Sequence, residues 1–268
     1  MTMPPIDLSE FAVQDQDYPD DQLCLTSDYS YWRSGHTARR YHPRYLLELL
    51  SNPTLAQPDT VSPRPYLASC LNRTPRLHRA WLFLKLIQQP WFDRCLYSFG
   101  NIPPRFDQLI ADSIDQLRVG LTAEEFDAVA NYIPTSIKLP NEPEADNLYY
   151  TSNASLAHSL CMVDIVTESD VTVPFISEKA WKPIVSGQLF LILGPMGIVA
   201  HLRATGVDVF DDVFDHGYDQ EPDVHVRIDK ILKNVLLVTD QVWQATHERR
   251  LKNMQLVQSD QYIQLLKD

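Results

Sequence analysis

The sequence predicts an α/β protein built on a Rossmann-like, mainly parallel sheet with helices on both faces. Short apolar runs such as YLASCL (66–71) and QLFLILG (188–194) have the length and unbroken hydrophobicity of strands buried on both sides. Stretches with helical spacing alternate with them, RAWLFLKLIQQ (79–89) being the clearest, and that alternation is the signature of strand–helix–strand units. A chain of 268 residues with 44% hydrophobic and 10% aromatic content also has the material for a sizeable core.

Taken in order, residues 1–60 are rich in Pro, Asp and Tyr and contain one helix-like patch, RYLLELL (44–50), so they read as a short N-terminal cap. The four prolines of NPTLAQPDTVSPRP (52–65) mark a connector, because proline removes backbone donors and interrupts regular structure. Residues 61–268 then form the main domain. A strand at 66–71 leads through the polar turn NRTPRLHR into the helix at 79–89, and DRCLYSFGN (93–101) supplies a second strand ending at a glycine turn. A helical insertion occupies about 101–150: residues 107–131 are helical, with Asp115, Glu124, Glu125 and Asp127 on a solvated face, and 132–150 is an exposed loop rich in prolines and acids. CMVDIVTES (161–169) is a strand, SEKAWKPIVSG (177–187) a short helix, and QLFLILG (188–194) a strand. GIVAHLRATG (197–206) is a helix closed by a C-cap glycine, VDVFDDVFD (207–215) a strand or an extended turn, and 222–266 a helical tail with apolar positions at Ile228, Ile231, Leu232, Val235, Leu236 and Val238.

Charge and cysteine usage exclude several classes of function. The net charge of -12 gives no long-range attraction for nucleic acid, although a local basic groove is compatible with it. Cys24, Cys70, Cys95 and Cys161 are widely spaced with no C-x-x-C pair, which argues against a zinc site and against a disulfide framework. The acidic start lacks the charged-then-apolar pattern of a signal peptide, and no apolar run reaches the length of a membrane span. A cytoplasmic protein with reduced thiols is the expectation, in which the sequons at Asn72 and Asn153 have no role.

Open sheets of this class bind ligands at the carboxyl ends of their strands, where helix N-termini point N–H groups outward. Three polar stretches fall at such ends. NRTPRLHR places Asn72, Arg73, Arg76, His78 and Arg79 between a strand and the helix it feeds; cations at a helix start oppose its dipole unless an anion is present, although surface carboxylates would also serve. Glu168, in IVTES, suits either a sugar or ribose hydroxyl or a local turn. In FISEKAWKPIVSG, Ser177 and Glu178 fit an N-cap and a first-turn acid, whereas Lys179 and Lys182 suit a ligand phosphate.

The order YLASCLNRTPRLHRAWLFLKLIQQPWFDRCLYSFGN, CMVDIVTES, FISEKAWKPIVSGQLFLILG resembles the C-terminal donor-binding domain of the fucosyltransferase-like glycosyltransferases of GT-B type, over roughly residues 66–200. The SEKAWKPI segment, followed by GIVAHLRATGVDVFDDVFDHGYD, looks like bacterial and phage members of that family. The resemblance implies transfer of a sugar from a nucleotide-sugar to a hydroxyl acceptor, either a glycan or a hydroxylated DNA base, with the nucleotide-sugar as co-substrate and no metal or other cofactor. It implies that Glu178 meets sugar or ribose hydroxyls, that Lys179 and Arg79, together with Arg73, hold the diphosphate, and that Glu168 matches the glutamate of the family's Phe-Glu-Asn-Ser segment. Two departures stand out: Ser177 replaces the usual Thr while keeping a capping hydroxyl, and Ser169 follows Glu168 directly, so the family's Asn is missing. The family draws its catalytic base from an N-terminal acceptor domain, which here is reduced to about 60 residues; Asp17, Asp28, His36 and His42 are the candidates, beside Asp20, Asp21 and Glu48. Asp15-Gln16-Asp17 has the form of a D-x-D metal motif, but in a segment this rich in acids chance accounts for it. The absence of a G-x-x-x-x-G-K-[ST] loop argues against a phosphotransferase. A nucleotide-sugar-binding or partner-binding protein derived from such a transferase is the alternative.

Overall fold

The structure is a computed structural model and describes residues 61–72, 74–99, 107–132, 136–137, 156–172 and 176–267, together with Leu46 and Leu50. Five strands form one sheet: β1 (Tyr66–Asn72), β2 (Cys95–Phe99), β3 (Ser136–Ile137), β4 (Cys161–Thr167) and β5 (Leu189–Leu193), in the order β3-β2-β1-β4-β5. β1 pairs in parallel with β2 and β4, and β4 in parallel with β5, while β3 lies antiparallel against Ser98 and Phe99. β3 falls inside the region expected to be a loop. Two residues bounded by prolines and acids carry no alternating pattern, so its existence depends on the edge of β2 that it covers.

Chain direction across the sheet reverses between β1 and β4. Helix α1 (Leu77–Leu86) carries the chain from β1 out to β2, and further along α2 (Asp107–Gly120), α3 (Ala123–Ala130) and α4 (Leu156–Leu160) precede the return to β4. Helix α5 (Glu178–Val185) then carries the chain the other way, to β5. Right-handed crossovers running in opposite directions cover opposite faces. Next come α6 (Ile198–Ala204), α7 (Val224–Val235), α8 (Asp240–Ala245), α9 (His247–Val257) and α10 (Asp260–Lys267), of which α7 packs on α1 and β5 while α9 packs on α5. The helical tail and the α/β alternation therefore stand as the periodicity predicts. The segment 207–215 is a turn rather than a strand, with Phe210 in the left-handed region at φ 63.

Every residue of β4 and β5 is buried. For β5, an edge strand among the described residues, side chains provide the cover. Tyr218 Oη accepts from the Ile192 amide at 3.3 Å, and Arg227 donates to the Gly194 carbonyl at 2.5 Å. These groups occupy positions that another strand would otherwise fill.

The amino end of the sheet is closed by two arginines that donate to backbone carbonyls. Arg64 donates to the carbonyls of His158, Cys161 and Ser186, and Arg250 to those of Gly187 and Trp243. Both guanidiniums lie over the Trp243 ring, at 4.6 and 3.3 Å from its centroid. In the sheet interior, Asp164 accepts from Ser69 Oγ at 2.7 Å and lies 3.4 Å from His158 Nε2. Cys70, Cys95 and Cys161 are free and buried, and burial raises their thiols, Cys70 and Cys161 to about 12, so they remain protonated and unreactive. No helix among the described residues is long and apolar enough to cross a membrane.

Candidate functional site

The reversal between β1 and β4 marks the switch point of the sheet, and the carboxyl ends of these strands define the crevice position at which doubly wound sheets bind ligands. Asn72 ends β1 and Thr167 ends β4, and the Thr167 hydroxyl donates to Asn72 Oδ1, while Asn72 Nδ2 contacts Cys70 Sγ at 3.2 Å. Asn72 is fully buried, so both of its polar ends serve the interior.

The first turn of α1 grips the loop that follows β4. Arg79 is 2% exposed and donates to the carbonyls of Thr74 at 3.0 Å, Thr167 at 3.1 Å and Glu168 at 3.1 Å. His78 Nε2 donates to the Glu168 carbonyl at 3.0 Å, and Arg76 to that of Ser169 at 2.7 Å. Three successive carbonyls are thus held from one side. Burial lowers the Arg79 guanidinium to about 10, with the Arg76 charge adding to the effect, and burial lowers His78 to about 3. At neutral pH Arg79 is therefore charged and His78 is not.

With its backbone fixed, the Glu168 carboxylate faces the start of α5. It is fully buried and accepts from the Ser177 amide at 2.9 Å and the Ser177 hydroxyl at 2.6 Å. Ser177 is also the N-cap of α5, its Oγ accepting from the Lys179 amide at 3.2 Å. Lys179 Nζ reaches Glu178 Oε1 at 3.1 Å, Ser177 Oγ at 3.2 Å and Ser169 Oγ at 3.4 Å. Two carboxylates ten residues apart are driven in opposite directions. Burial raises Glu168, and the Lys179 charge and Ser177 hydrogen bonds do not offset it. Burial also opposes ionisation of Glu178, but there Lys179 and Lys182 prevail and hold the carboxyl below its ordinary value. Glu178 Oε2 remains buried with no hydrogen-bond partner, as does Arg79 Nε.

The structure thus brings Arg79, Glu168, Ser177, Glu178 and Lys179 into one network, with Asn72 beneath it and Lys182 half-buried within α5. Arg73, Asp17, Asp28, His36 and His42 lie outside the described residues. Sequence reasoning assigned no site role to Ser169, whose hydroxyl and carbonyl both take part, nor a specific partner to Arg76 or His78. Their partners are backbone carbonyls about ninety residues away, and a carbonyl leaves no trace in side-chain pattern. Among the described residues no group of three or more His, Cys, Asp or Glu side chains is placed to hold a metal ion.

Compared with models of known families, with curated proteins and with solved structures, the chain finds no significant match. The Rossmann-like architecture is compatible with nucleotide binding and is shared by many enzymes besides GT-B transferases, so function rests on the chemistry of the crevice.

Proposed function

We propose that the crevice binds a nucleotide-sugar and that the chain transfers its sugar to a hydroxyl acceptor, a glycan or a hydroxylated DNA base. One observation carries this reading: Glu178 Oε2, on a residue only 6% exposed, is a buried acceptor without a donor. Leaving such an atom unsatisfied costs roughly 1–3 kcal/mol, more when charged, and a sugar or ribose hydroxyl supplies the missing donor. Beside it, the Lys179 side chain is 26% exposed and its ammonium offers positive charge to a diphosphate. Charge that accumulates on the diphosphate as the glycosidic bond breaks is stabilised by a cation already in position. Arg79 serves this arrangement through the backbone carbonyls it holds. The proton of the acceptor hydroxyl is assigned to a group in the N-terminal segment, with Asp17, Asp28, His36 and His42 as candidates.

A second reading, a nucleotide-sugar-binding protein without transfer, is favoured by the extent to which the site is already satisfied. Lys179 Nζ has three acceptors, and the amides of Ser177, Lys179 and Ala180 are all engaged.

Calorimetry against nucleoside diphosphates and nucleotide-sugars, with donor hydrolysis followed in parallel, separates the two. Binding with slow hydrolysis supports the transferase, binding without hydrolysis or transfer supports the second reading, and no binding across the panel removes both. Glu178→Gln should weaken nucleotide-sugar binding roughly tenfold with little loss of stability, as expected for one charged hydrogen bond, and Lys179→Ala should weaken it comparably while also lowering stability, because the buried Glu178 carboxylate loses its cation. Arg79→Ala should instead lower stability by roughly 2–4 kcal/mol in urea, because the Thr167 carbonyl loses its guanidinium donor, the Thr74 carbonyl loses one too, and the Glu168 carbonyl is left with His78 alone.

A further inference from the structure

We propose that Glu168 is a positioning residue that sets the direction of the Ser177 hydroxyl proton and thereby seats Lys179. A serine hydroxyl has one proton and two lone pairs. At Ser177 all three are committed: the proton to Glu168 Oε2 at 2.6 Å, and the lone pairs to the Lys179 amide and the Lys179 ammonium, both at 3.2 Å. A carboxylate can only accept, so Glu168 dictates that the proton points toward itself and that both lone pairs face Lys179. The second Glu168 oxygen takes the Ser177 amide at 2.9 Å, which fixes the carboxylate plane, and the loop bearing Glu168 is held from behind by His78 and Arg79. The N-cap of α5 and the seat of its lysine are therefore both governed by a side chain nine residues earlier in the chain, on the end of β4.

The substitution Glu168→Gln keeps the shape of the side chain and reverses the logic. An amide N–H cannot turn round, whereas a hydroxyl can. The new carboxamide therefore keeps its oxygen on the Ser177 amide and offers its NH2 group to Ser177 Oγ. One lone pair is consumed and the hydroxyl proton takes one of the two directions facing Lys179, so a single lone pair is left for two donors and either the amide or the ammonium of Lys179 loses its acceptor. The consequence for ligand affinity rests on the nucleotide-sugar reading, whereas the hydrogen-bond switch itself does not.

Amide hydrogen exchange on the full chain tests it without any ligand. In Glu168→Gln either the Lys179 amide should exchange about tenfold faster or the Lys179 Nζ nitrogen resonance should shift, while the Ser177 amide stays within about twofold of wild type, the change that loss of one hydrogen bond produces. Ser177→Ala should show the same pattern, and the double variant should be no worse than Ser177→Ala. An unchanged Lys179 amide together with an unchanged Lys179 Nζ resonance in Glu168→Gln, or equal loss of protection at Ser177 and Lys179, would overturn the assignment. Should Glu168→Gln fail to fold, Glu168→Asp, whose shorter carboxylate withdraws from the Ser177 hydroxyl, decides instead: faster amide exchange or a shifted Nζ resonance at Lys179 upholds the proposal, and no change at either refutes it. In parallel, affinity for a nucleoside diphosphate should fall about tenfold in Glu168→Gln. If wild type binds none, the nucleotide-sugar reading fails while the exchange pattern still judges Glu168.

Discussion

His78 is enclosed by Arg79 and Arg76, which repel a proton, by Asp170, which attracts one, and by the Glu168 carbonyl, to which its Nε2 donates. Burial decides the balance and lowers the imidazole from 6.5 to about 3. A group that the folded state keeps neutral and the unfolded chain protonates contributes stability above pH 6.5, and that contribution drains away as pH falls from 6.5 toward about 3. The slope for one such site is about 1.4 kcal/mol per pH unit. His78→Gln retains a donor for the Glu168 carbonyl and cannot titrate, so its stability, measured by urea unfolding at stepped pH, should fall less steeply across that range. An identical acid slope in wild type and variant would show that His78 is not the group responsible. At this scale the sequence exposed the polar stretches NRTPRLHR and SEKAWKPI but not how they act. The arginines looked like ligand cations because their charge opposes a helix dipole, and the structure gives Arg79 three carbonyls that make the same charge tolerable.

Between β5 and α6 the chain passes through Gly194 directly beside Glu168. A methyl group at 194 would stand 3.0 Å from Ile198 Cδ1 and 3.2 Å from Glu168 Cγ. The isoleucine tip can swing away, but the glutamate is pinned by its bonds to Ser177 and cannot. Gly194→Ala should therefore cost about 1–2 kcal/mol of stability, as mild overpacking usually does. It should also shift the Ser177 amide resonance, and an unshifted resonance would show that Glu168 has room to move. Elements of this kind were legible wherever an apolar run was long enough to have only one reading, as in β4 and β5. β3 was not, because two residues carry no period. The 207–215 segment mixes acids with apolar residues without a clear period, and in the structure Asp211 and Asp208 are held by Arg203 and Arg249.

The two ends of the sheet divide the work of the whole molecule. The carboxyl end carries the crevice, and the amino end carries the buried cluster of Arg64, Trp243 and Arg250 that docks the last helices. These helices reach the site through α5, since α9 packs on that helix and Trp181 of α5 meets Tyr262 of α10 edge to face at 6.2 Å. Burial lowers Arg250 to about 9, with the Arg64 charge adding to the effect, which leaves it cationic and dependent on its carbonyl partners. Arg250→Ala should lower stability by roughly 3 kcal/mol or more, and Arg250→Lys should recover little, because an ammonium can neither stack on Trp243 nor span the same carbonyls. Full recovery by lysine in thermal unfolding would mean that charge alone matters there. None of this was readable in advance: the tail announced itself as helical, but its docking partners include the Gly187 carbonyl, which accepts from Arg250, and the Ser62 carbonyl, which accepts from Trp243 Nε1.

The side chains of Tyr218 and Arg227 along β5 have a consequence for how the protein behaves in company. A bare outer strand invites a neighbouring molecule to add its own, and repeated addition leads to fibres. Here the amide of Ile192 and the carbonyl of Gly194 are already engaged by an aromatic hydroxyl and a guanidinium, both anchored in the fold. Strand-by-strand growth from that margin is blocked by two residues rather than by a further stretch of backbone. Losing either one would free one backbone group at that margin, the first step by which an edge becomes available for pairing.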